Sequence, residues 1–215
     1  MRTKTFPTSD DLAIAIHRGP LGPMTLAAHG GTLVGAWFYR QRFFGAPYGV
    51  DEAVVGFARD AADPALRAAD AWLDAYYAGS NPPLDFPLRA YGNDFQLRVW
   101  DALLRVPYGT TTSYGKLAEA LTQESRRPQG TDAQSGNGGK RATHRTAAAS
   151  RPVSPRVVGW AVGRNPISLF VPCHRVLSAS GGVSGYAGGV DRKEWLLALE
   201  SGKVVAGLFG GVEGA

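Results

Sequence analysis

The chain contains one cysteine, Cys173, which lies directly after Pro172 and directly before His174 and Arg175. A single cysteine cannot form an internal disulfide, so it is a buried inert thiol, a metal ligand or a nucleophile. A thiol reacts as the thiolate, and neighbouring cationic or hydrogen-bonding groups lower its pKa toward working pH. By composition alone a free cysteine is more often a small buried hydrophobe. The adjacent histidine and arginine favour a nucleophile.

Two further groups of residues accompany this thiol. The upstream group consists of Phe95, Gln96, Val99, Trp100, Ala102, Leu103, Pro107, Tyr108, Gly109, Thr110, Ser113, Tyr114, Gly115, Leu117 and Ala118. The group around the cysteine consists of Asn165, Pro166, Ile167, Pro172 to Val176, Gly185, Tyr186, Gly188, Gly189, Lys193, Trp195, Leu196, Leu197 and Glu200. In order and spacing these residues resemble the O6-alkylguanine-DNA alkyltransferases over about residues 92–200, apart from one insertion.

The resemblance implies direct reversal of DNA damage, in which a thiolate attacks the alkyl carbon on O6 of guanine and each protein molecule reacts once. Cys173, His174 and Glu200 match the family's relay of thiol, water, histidine and carboxylate, in which a carboxylate orients a base. Tyr114 matches the residue that donates toward the leaving purine, and Asn165 matches the one that holds the active-site turn. Because the histidine follows the cysteine directly, we expect an irregular turn and a bridging water. The resemblance implies no cofactor and no metal.

The implied partner is double-stranded DNA containing O6-alkylguanine, bound from the minor groove with the damaged base flipped out of the stack. Arg156 matches the arginine that occupies the space vacated by that base. Gly159 and Ala161 are small and allow a helix to approach the groove, whereas Trp160 departs from the family pattern and either packs inward or alters the groove contact. Further DNA contacts are expected from Arg164 and Arg175, and a base pocket from Val183, Ser184, Gly185 and Tyr186.

Composition limits the class of protein. With 215 residues, of which 44% are hydrophobic, the chain can form one large or two small domains. It has no apolar run of the ~18 residues that a membrane span needs, and its start lacks the apolar segment of a secretory signal. We therefore expect no membrane partner. A reactive lone thiol suggests the reducing cytoplasm, and we expect a monomer there.

The net charge of +5 is compatible with a polyanionic partner, but it is unevenly distributed. Residues 122–155 contain six basic and two acidic side chains, which leaves the rest of the chain nearly neutral. Any basic DNA-binding face outside this segment must therefore be local.

Three short apolar stretches separated by Gly and Pro predict an antiparallel meander over Leu12 to Ile16, Met24 to Ala28 and Thr32 to Tyr39. Apolar side chains at helical spacing predict a helix over Ala65 to Tyr77 that covers this sheet. These patterns predict an α+β fold in which residues 1–90 form a small sheet-plus-helix domain, and the resemblance implies that this domain is ribonuclease-H-like.

Residues 91–202 are predicted to form a winged-helix or helix-turn-helix-like alkyltransferase domain, followed by a tail at 203–215. Its helices are marked by apolar stripes, caps and stop signals. They are predicted from Phe95 to Leu104, from Tyr114 to Leu121 after Ser113, from Ser154 and Pro155 to about Val162, and from Arg192 to Glu200 with Asp191 as N-cap.

The main departure from the family is an insertion over Thr122 to Val153, which is rich in Gly, Ser, Ala, Thr, Gln and Arg. It has scarcely any large apolar residue, so we predict a disordered loop. Loop closure costs grow only logarithmically with length, so the fold tolerates it. It is either a solvated loop with no effect on function or a basic arm that attracts phosphates.

Three other functions fit parts of the sequence. A noncatalytic binder of alkylated DNA with the same fold has no need of Cys173. A cysteine–histidine hydrolase has no use for Arg156 or a helix-turn-helix. A transcription factor reads base edges with side chains that the small residues of the third helix do not supply. The sequence therefore favours repair by alkyl transfer to the cysteine.

Overall fold

The computed structural model describes residues 7–46, 48–52, 62–126, 151–183 and 185–203. Three antiparallel strands, β1 (Ala13–Gly19), β2 (Gly22–His29) and β3 (Thr32–Phe38), form a sheet in sequential order. Gly30 and Gly31 join β2 to β3 with φ values of 56° and 74°. A two-residue hairpin turn of this kind needs positive φ at both positions, which explains the two glycines. The predicted meander is confirmed.

The helix α1 (Pro64–Tyr77) packs against this sheet. Its start follows from local chemistry, because the side chain of Asp63 accepts a hydrogen bond from the Ala65 amide at 2.8 Å and proline occupies the first helical position. Its buried face includes Leu66, Leu73 and Tyr76. The predicted α+β class is therefore confirmed for the sheet and its covering helix.

In the described part of the chain, four more helices follow the first, and each begins at or within two residues of its predicted start. They are α2 (Asp94–Leu104), α3 (Tyr114–Arg126), α4 (Pro155–Val162) and α5 (Val190–Glu200). The side chain of Ser154 caps α4 as predicted, by accepting from the Arg156 amide. The prediction for α5 was wrong at its cap, because Gly189 with φ of 100° is the N-cap and Asp191 lies in the first turn.

The helix α3 continues to Arg126, five residues beyond its predicted end and into the predicted loop. This extension packs on α2, since Arg98 donates to the Leu121 carbonyl at 2.8 Å and to the Ser125 hydroxyl at 2.7 Å. Residues 127–150, which make up most of the loop predicted to be disordered, lie outside the described residues. The two described ends of that segment meet where the Val153 amide donates to Thr122 Oγ1 at 2.9 Å.

Two very short strands, β4 (Thr112–Ser113) and β5 (Val176–Leu177), pair in parallel and were not predicted. A two-residue strand carries no periodicity that a sequence pattern could reveal. Among the described helices, none is long and apolar enough to cross a membrane.

The sheet and the helices share one buried core. The backbone of Ala36 in β3 donates to the Pro166 carbonyl and accepts from the Ser168 amide, each at 2.9 Å. The rings of Trp72 on α1 and Phe170 pack against each other at a tilt of 38°, with centroids 4.7 Å apart. One continuous cluster of buried side chains thus contains residues from both sides of the predicted boundary near residue 90.

Candidate active site

Cys173 begins a single turn of 3-10 helix, Cys173–Arg175, at the end of a tightly folded segment. The side chain of Asn165 holds this segment, because its Nδ2 donates to the Val171 carbonyl at 2.8 Å and its Oδ1 accepts from the Ile167 amide at 3.0 Å. The same Nδ2 lies 3.0 Å from Cys173 Sγ and donates to it. The irregular turn expected at this position is confirmed.

Cys173 is a buried residue, with 4% of its surface exposed. Burial raises its pKa to about 11, although the hydrogen bond from Asn165 and the positive charge of Lys193 act in the opposite direction. The resting group at neutral pH is therefore the thiol rather than the thiolate. Nucleophilic chemistry at this position requires a base to remove the proton.

The side chain of His174 is completely buried, and its Nε2 lies 2.9 Å from Glu200 Oε1. Because a carboxylate can only accept, this contact assigns the ring proton to Nε2 and leaves Nδ1 as the basic nitrogen. Burial lowers the pKa of His174, so the ring is neutral near pH 7. Nδ1 is buried and has no hydrogen-bond partner among the described residues.

The carboxylate of Glu200 accepts hydrogen bonds from three other segments of the chain. Arg175 donates to both carboxylate oxygens at 2.8–3.1 Å, the Tyr76 hydroxyl donates to Oε1 at 2.7 Å, and the Gly109 amide donates to Oε2 at 3.1 Å. Burial alone would raise the pKa of Glu200, but hydrogen bonds from His174 and Arg175 outweigh it and lower the pKa to about 2. The carboxylate is therefore charged at any physiological pH.

The DNA contact predicted for Arg175 is wrong. Its guanidinium is 10% exposed, and besides Glu200 it donates through a third nitrogen to the Val106 carbonyl at 2.7 Å. Reaching a phosphate would break these bonds and leave Glu200 with an uncompensated buried charge. The side chain instead fixes the carboxylate beside His174.

Sequence reasoning missed Tyr76, which it placed only on the apolar face of a helix. The Tyr76 ring is fully buried and stacks on Trp72, with centroids 5.0 Å apart. Its hydroxyl reaches Glu200, which lies 124 positions further along the chain. The one available signal was chemical, since a buried tyrosine hydroxyl requires a hydrogen-bond partner.

Tyr114 begins α3 and faces a cavity of about 420 Å³ that Gly159, Gly185 and Tyr186 also line. Burial and the nearby Cys173 raise the pKa of Tyr114, so its phenol keeps the proton that it would have to donate. The Tyr186 ring lies edge-on to the His174 ring at 6.5 Å. The structure thus brings these predicted pocket residues together.

Two other residues predicted for the base pocket do not join them. Val183 is half-buried and does not line the cavity. Ser184 lies outside the described residues.

The exposed side of α4 carries Arg156 and Trp160, and the Trp160 ring is 46% exposed. Trp160 therefore does not pack inward, which excludes the first of the two alternatives predicted for it. Gly159 faces the cavity, where a Cβ would meet the Tyr114 ring at 3.6 Å. The groove contact predicted for Ala161 is wrong, because Ala161 is fully buried and its carbonyl accepts from the Trp100 indole at 3.0 Å.

The chain is similar to one known protein family. The family model of the 6-O-methylguanine DNA methyltransferase DNA binding domain matches residues 94–133 and 138–202. The methylated-DNA–protein-cysteine methyltransferase of Mycobacterium tuberculosis (strain ATCC 25618 / H37Rv) is 36% identical over 189 residues, which cover 88% of this chain and 92% of that protein. The protein of the same name from Methanosarcina acetivorans is 39% identical over 135 residues, covering 63% of this chain and 69% of the relative.

Solved structures agree with the sequence comparison. The fold is similar to the crystal structure of Mycobacterium tuberculosis O6-methylguanine methyltransferase, with a TM-score of 0.63 and 34% identity over 92% of this chain and 97% of that one. The crystal structure of Mycobacterium tuberculosis OGT in complex with DNA matches with the same TM-score at 36% identity, over 89% of this chain and 94% of that one.

Proposed function

The chain belongs to the methylated-DNA–protein-cysteine methyltransferase family, and we propose that it repairs O6-alkylguanine in double-stranded DNA by moving the alkyl group to Cys173. One observation carries this proposal. The buried thiol sits one residue before a neutral histidine that is oriented by a charged carboxylate. Such an arrangement provides a nucleophile and a base. The hydrogen bond from Nε2 to the carboxylate leaves Nδ1 as the nitrogen that can accept a proton.

The reaction begins with loss of the thiol proton. Because burial raises the pKa of Cys173 to about 11, the thiolate forms only as its proton passes to His174 Nδ1. A water between Sγ and Nδ1 would carry this proton, and the buried Nδ1 without a partner among the described residues supports that role. Glu200 accepts from Nε2 and stabilises the imidazolium that forms.

The sulfur then attacks the alkyl carbon in line with the bond to O6 of guanine. The S–C bond forms as the C–O6 bond breaks, and the electron pair of that bond passes to the purine. Tyr114 donates a proton to the departing base, a type of general-acid catalysis typically worth ~10² to 10⁴ in rate. The tyrosinate left behind regains a proton from solvent, and the imidazolium of His174 releases the proton that it took from the thiol. The products are guanine and S-alkylcysteine. Since none of the side chains that the structure describes around Cys173 would cleave a thioether, we propose that each protein molecule reacts once.

The DNA reaches this site through α3 and α4, which we propose to act as a helix-turn-helix in the minor groove. Arg156 is exposed at the start of α4 and supplies the side chain that replaces the flipped base. The cavity lined by Tyr114, Gly185 and Tyr186 receives the extruded guanine. A solitary reactive cysteine suits a monomer in the reducing cytoplasm.

A noncatalytic binder of alkylated DNA is the second candidate, and the raised pKa of Cys173 favours it, since a buried thiol is ordinarily inert. Intact-protein mass spectrometry distinguishes the two functions. The full chain is mixed with a duplex carrying one O6-methylguanine, beside an unmodified duplex and the variant Cys173→Ala. We expect a gain of one methyl group on Cys173, saturating at one per protein and missing in both controls. Lesion-duplex binding without any mass gain would establish the noncatalytic binder instead.

A further inference from the structure

The guanidinium of Arg164, just beyond the end of α4, lies over two aromatic rings. Its central carbon is 3.9 Å from the ring centroid of Trp160 on the same helix and 4.5 Å from the centroid of Phe43. Phe43 comes from the segment after β3, so this group joins the two halves of the chain. We call these three residues, Phe43, Trp160 and Arg164, the stacked rim.

Stacking occupies the flat faces of a guanidinium and leaves its N–H groups, which lie in the plane, available for acceptors. Among the described residues, the guanidinium of Arg164 makes only one hydrogen bond, a long one from Nη1 to the Trp160 carbonyl at 3.5 Å. The side chain is therefore held in place by rings while its donors keep most of their capacity. This contrasts with Arg175, whose three nitrogens all bind protein oxygens.

The stacked rim borders the same cavity as Tyr114 and Tyr186. Arg42 adds a second guanidinium there, 4.7 Å from the Phe43 ring centroid. No carboxylate lines this cavity among the described residues. The cavity therefore has a polar and aromatic inner end and a cationic rim, a charge distribution complementary to a nucleotide phosphate.

Phe43 is firmly positioned by the backbone around it. Its own φ is 63°, in the left-handed region. The preceding Gln41 accepts from the Phe38 amide and from the Ser168 hydroxyl, and the amide of Arg42 donates to the Ala187 carbonyl at 3.0 Å. The backbone that carries the ring is thus held against both the sheet and the segment that follows Gly185.

We propose that the stacked rim binds a backbone phosphate of the damaged DNA strand beside the extruded nucleotide, with Phe43 and Trp160 holding Arg164 in the orientation that reaches it. This inference rests on the proposed function, because it assumes that the cavity receives a flipped base. It gives the exposed Trp160 a positive role in DNA binding, and it extends the DNA-binding surface to the amino-terminal half of the chain.

The test measures the dissociation constant of the full-length Cys173→Ser protein for a lesion-bearing duplex by fluorescence anisotropy at several salt concentrations. We expect Arg164→Ala to weaken binding about tenfold and to reduce the salt-dependence slope by about 0.9, the value for one phosphate contact. Phe43→Ala and Trp160→Ala should each weaken binding about three- to tenfold, whereas Trp160→Phe, which keeps a ring face, should stay within about twofold. The double variant Phe43→Ala/Arg164→Ala should bind no more weakly than Arg164→Ala.

Arg18→Ala is the charge-matched control, because Arg18 is exposed on β1, outside the cavity wall. Thermal unfolding of every variant verifies that the fold is retained. The proposal is overturned if Phe43→Ala leaves binding unchanged, if its effect is the same with and without Arg164, or if Arg18→Ala matches Arg164→Ala. Methyl transfer by the wild-type chain in the mass assay is measured independently, so a failure of the stacked rim is distinguishable from a failure of the repair function.

Discussion

Replacing Tyr76 by phenylalanine should alter the pH dependence of alkyl transfer without touching the reacting atoms. The substitution keeps the ring that packs on Trp72 and removes only the hydroxyl that donates to Glu200 Oε1 at 2.7 Å. That oxygen also accepts from His174 Nε2 at 2.9 Å. Without the hydroxyl, the negative charge on Oε1 is less dispersed and acts more strongly on the imidazole.

The magnitude follows from what remains around the two groups. A hydrogen bond to a charged group contributes about 1.5–3 kcal/mol, and Glu200 keeps its bonds from Arg175 and the Gly109 amide, so we take the lower end. If most of this lost free energy instead strengthens the ion pair between Glu200 and protonated His174, the pKa of that histidine rises by about 1, since one pKa unit equals 1.36 kcal/mol. The other charged neighbours of His174, Arg175 and Lys193, both lower its pKa and are unchanged.

The assay is the single-turnover rate of methyl transfer between pH 5 and 8. Only neutral His174 accepts the thiol proton. The wild-type rate should therefore decrease once the pH drops below the lowered pKa of this histidine. In Tyr76→Phe this acid limb should move about 1 pH unit upward. The rate should therefore drop about tenfold on the acid side and stay near wild type on the alkaline side.

Tyr77→Phe provides the matched control, because Tyr77 is the next residue on α1 and its hydroxyl points away from this site, toward Met24 Sδ at 3.5 Å. It should leave the acid limb where it is. A Tyr76→Phe rate that falls by the same factor at every pH would reveal a general loss of positioning and refute the electrostatic reasoning. An unchanged profile would refute it equally.

Three further predictions concern the same group of side chains. Arg175→Lys keeps the charge but loses the fork that binds both Glu200 oxygens, so urea unfolding should show a loss of about 3 kcal/mol. The pKa of Glu200 falls from its ordinary 4.5 to about 2 on folding, so the wild type should lose about 3 kcal/mol of stability as pH falls through that interval, and Glu200→Gln should lose far less when both are followed by acid-dependent unfolding. Asn165→Ala removes the donor to Cys173 Sγ, which should raise the thiol pKa further and slow alkylation by a small iodoacetamide-type reagent about tenfold at pH 8.

Local signals were enough to locate the three-stranded sheet and the helices α1 to α5, but not the short strands β4 and β5. Hydrophobic periodicity and the Ser154 cap predicted α4 at its observed start, because both depend on neighbouring residues. The cap of α5 was misassigned because local rules rank N-cap candidates by residue type. Asp191 is a better N-cap by residue type than Gly189, but the glycine adopts a φ of 100° that few other residues tolerate.

The site was predictable where its residues are close in sequence and less so where they meet through tertiary packing. Cys173 and His174 are adjacent, and the family resemblance already indicated the pairing that we propose between nucleophile and base. Arg175 was misassigned because a cation is exposed by default, and only the folded chain places Glu200 against it. Tyr76 was hidden for a related reason, since its position on an apolar helix face is fully explained by packing until its hydroxyl is followed to the carboxylate.

Glu200 explains why the amino-terminal half belongs to the chemistry as well as to the core. Its carboxylate binds α1 through Tyr76, the turn of the nucleophile through His174 and Arg175, and the loop before β4 through the Gly109 amide. A buried carboxylate that loses one of these donors retains its charge at a higher energetic cost, so a change in any one segment alters the base that the others hold. A division of the chain near residue 90 therefore separates two groups of side chains that act on the same carboxylate.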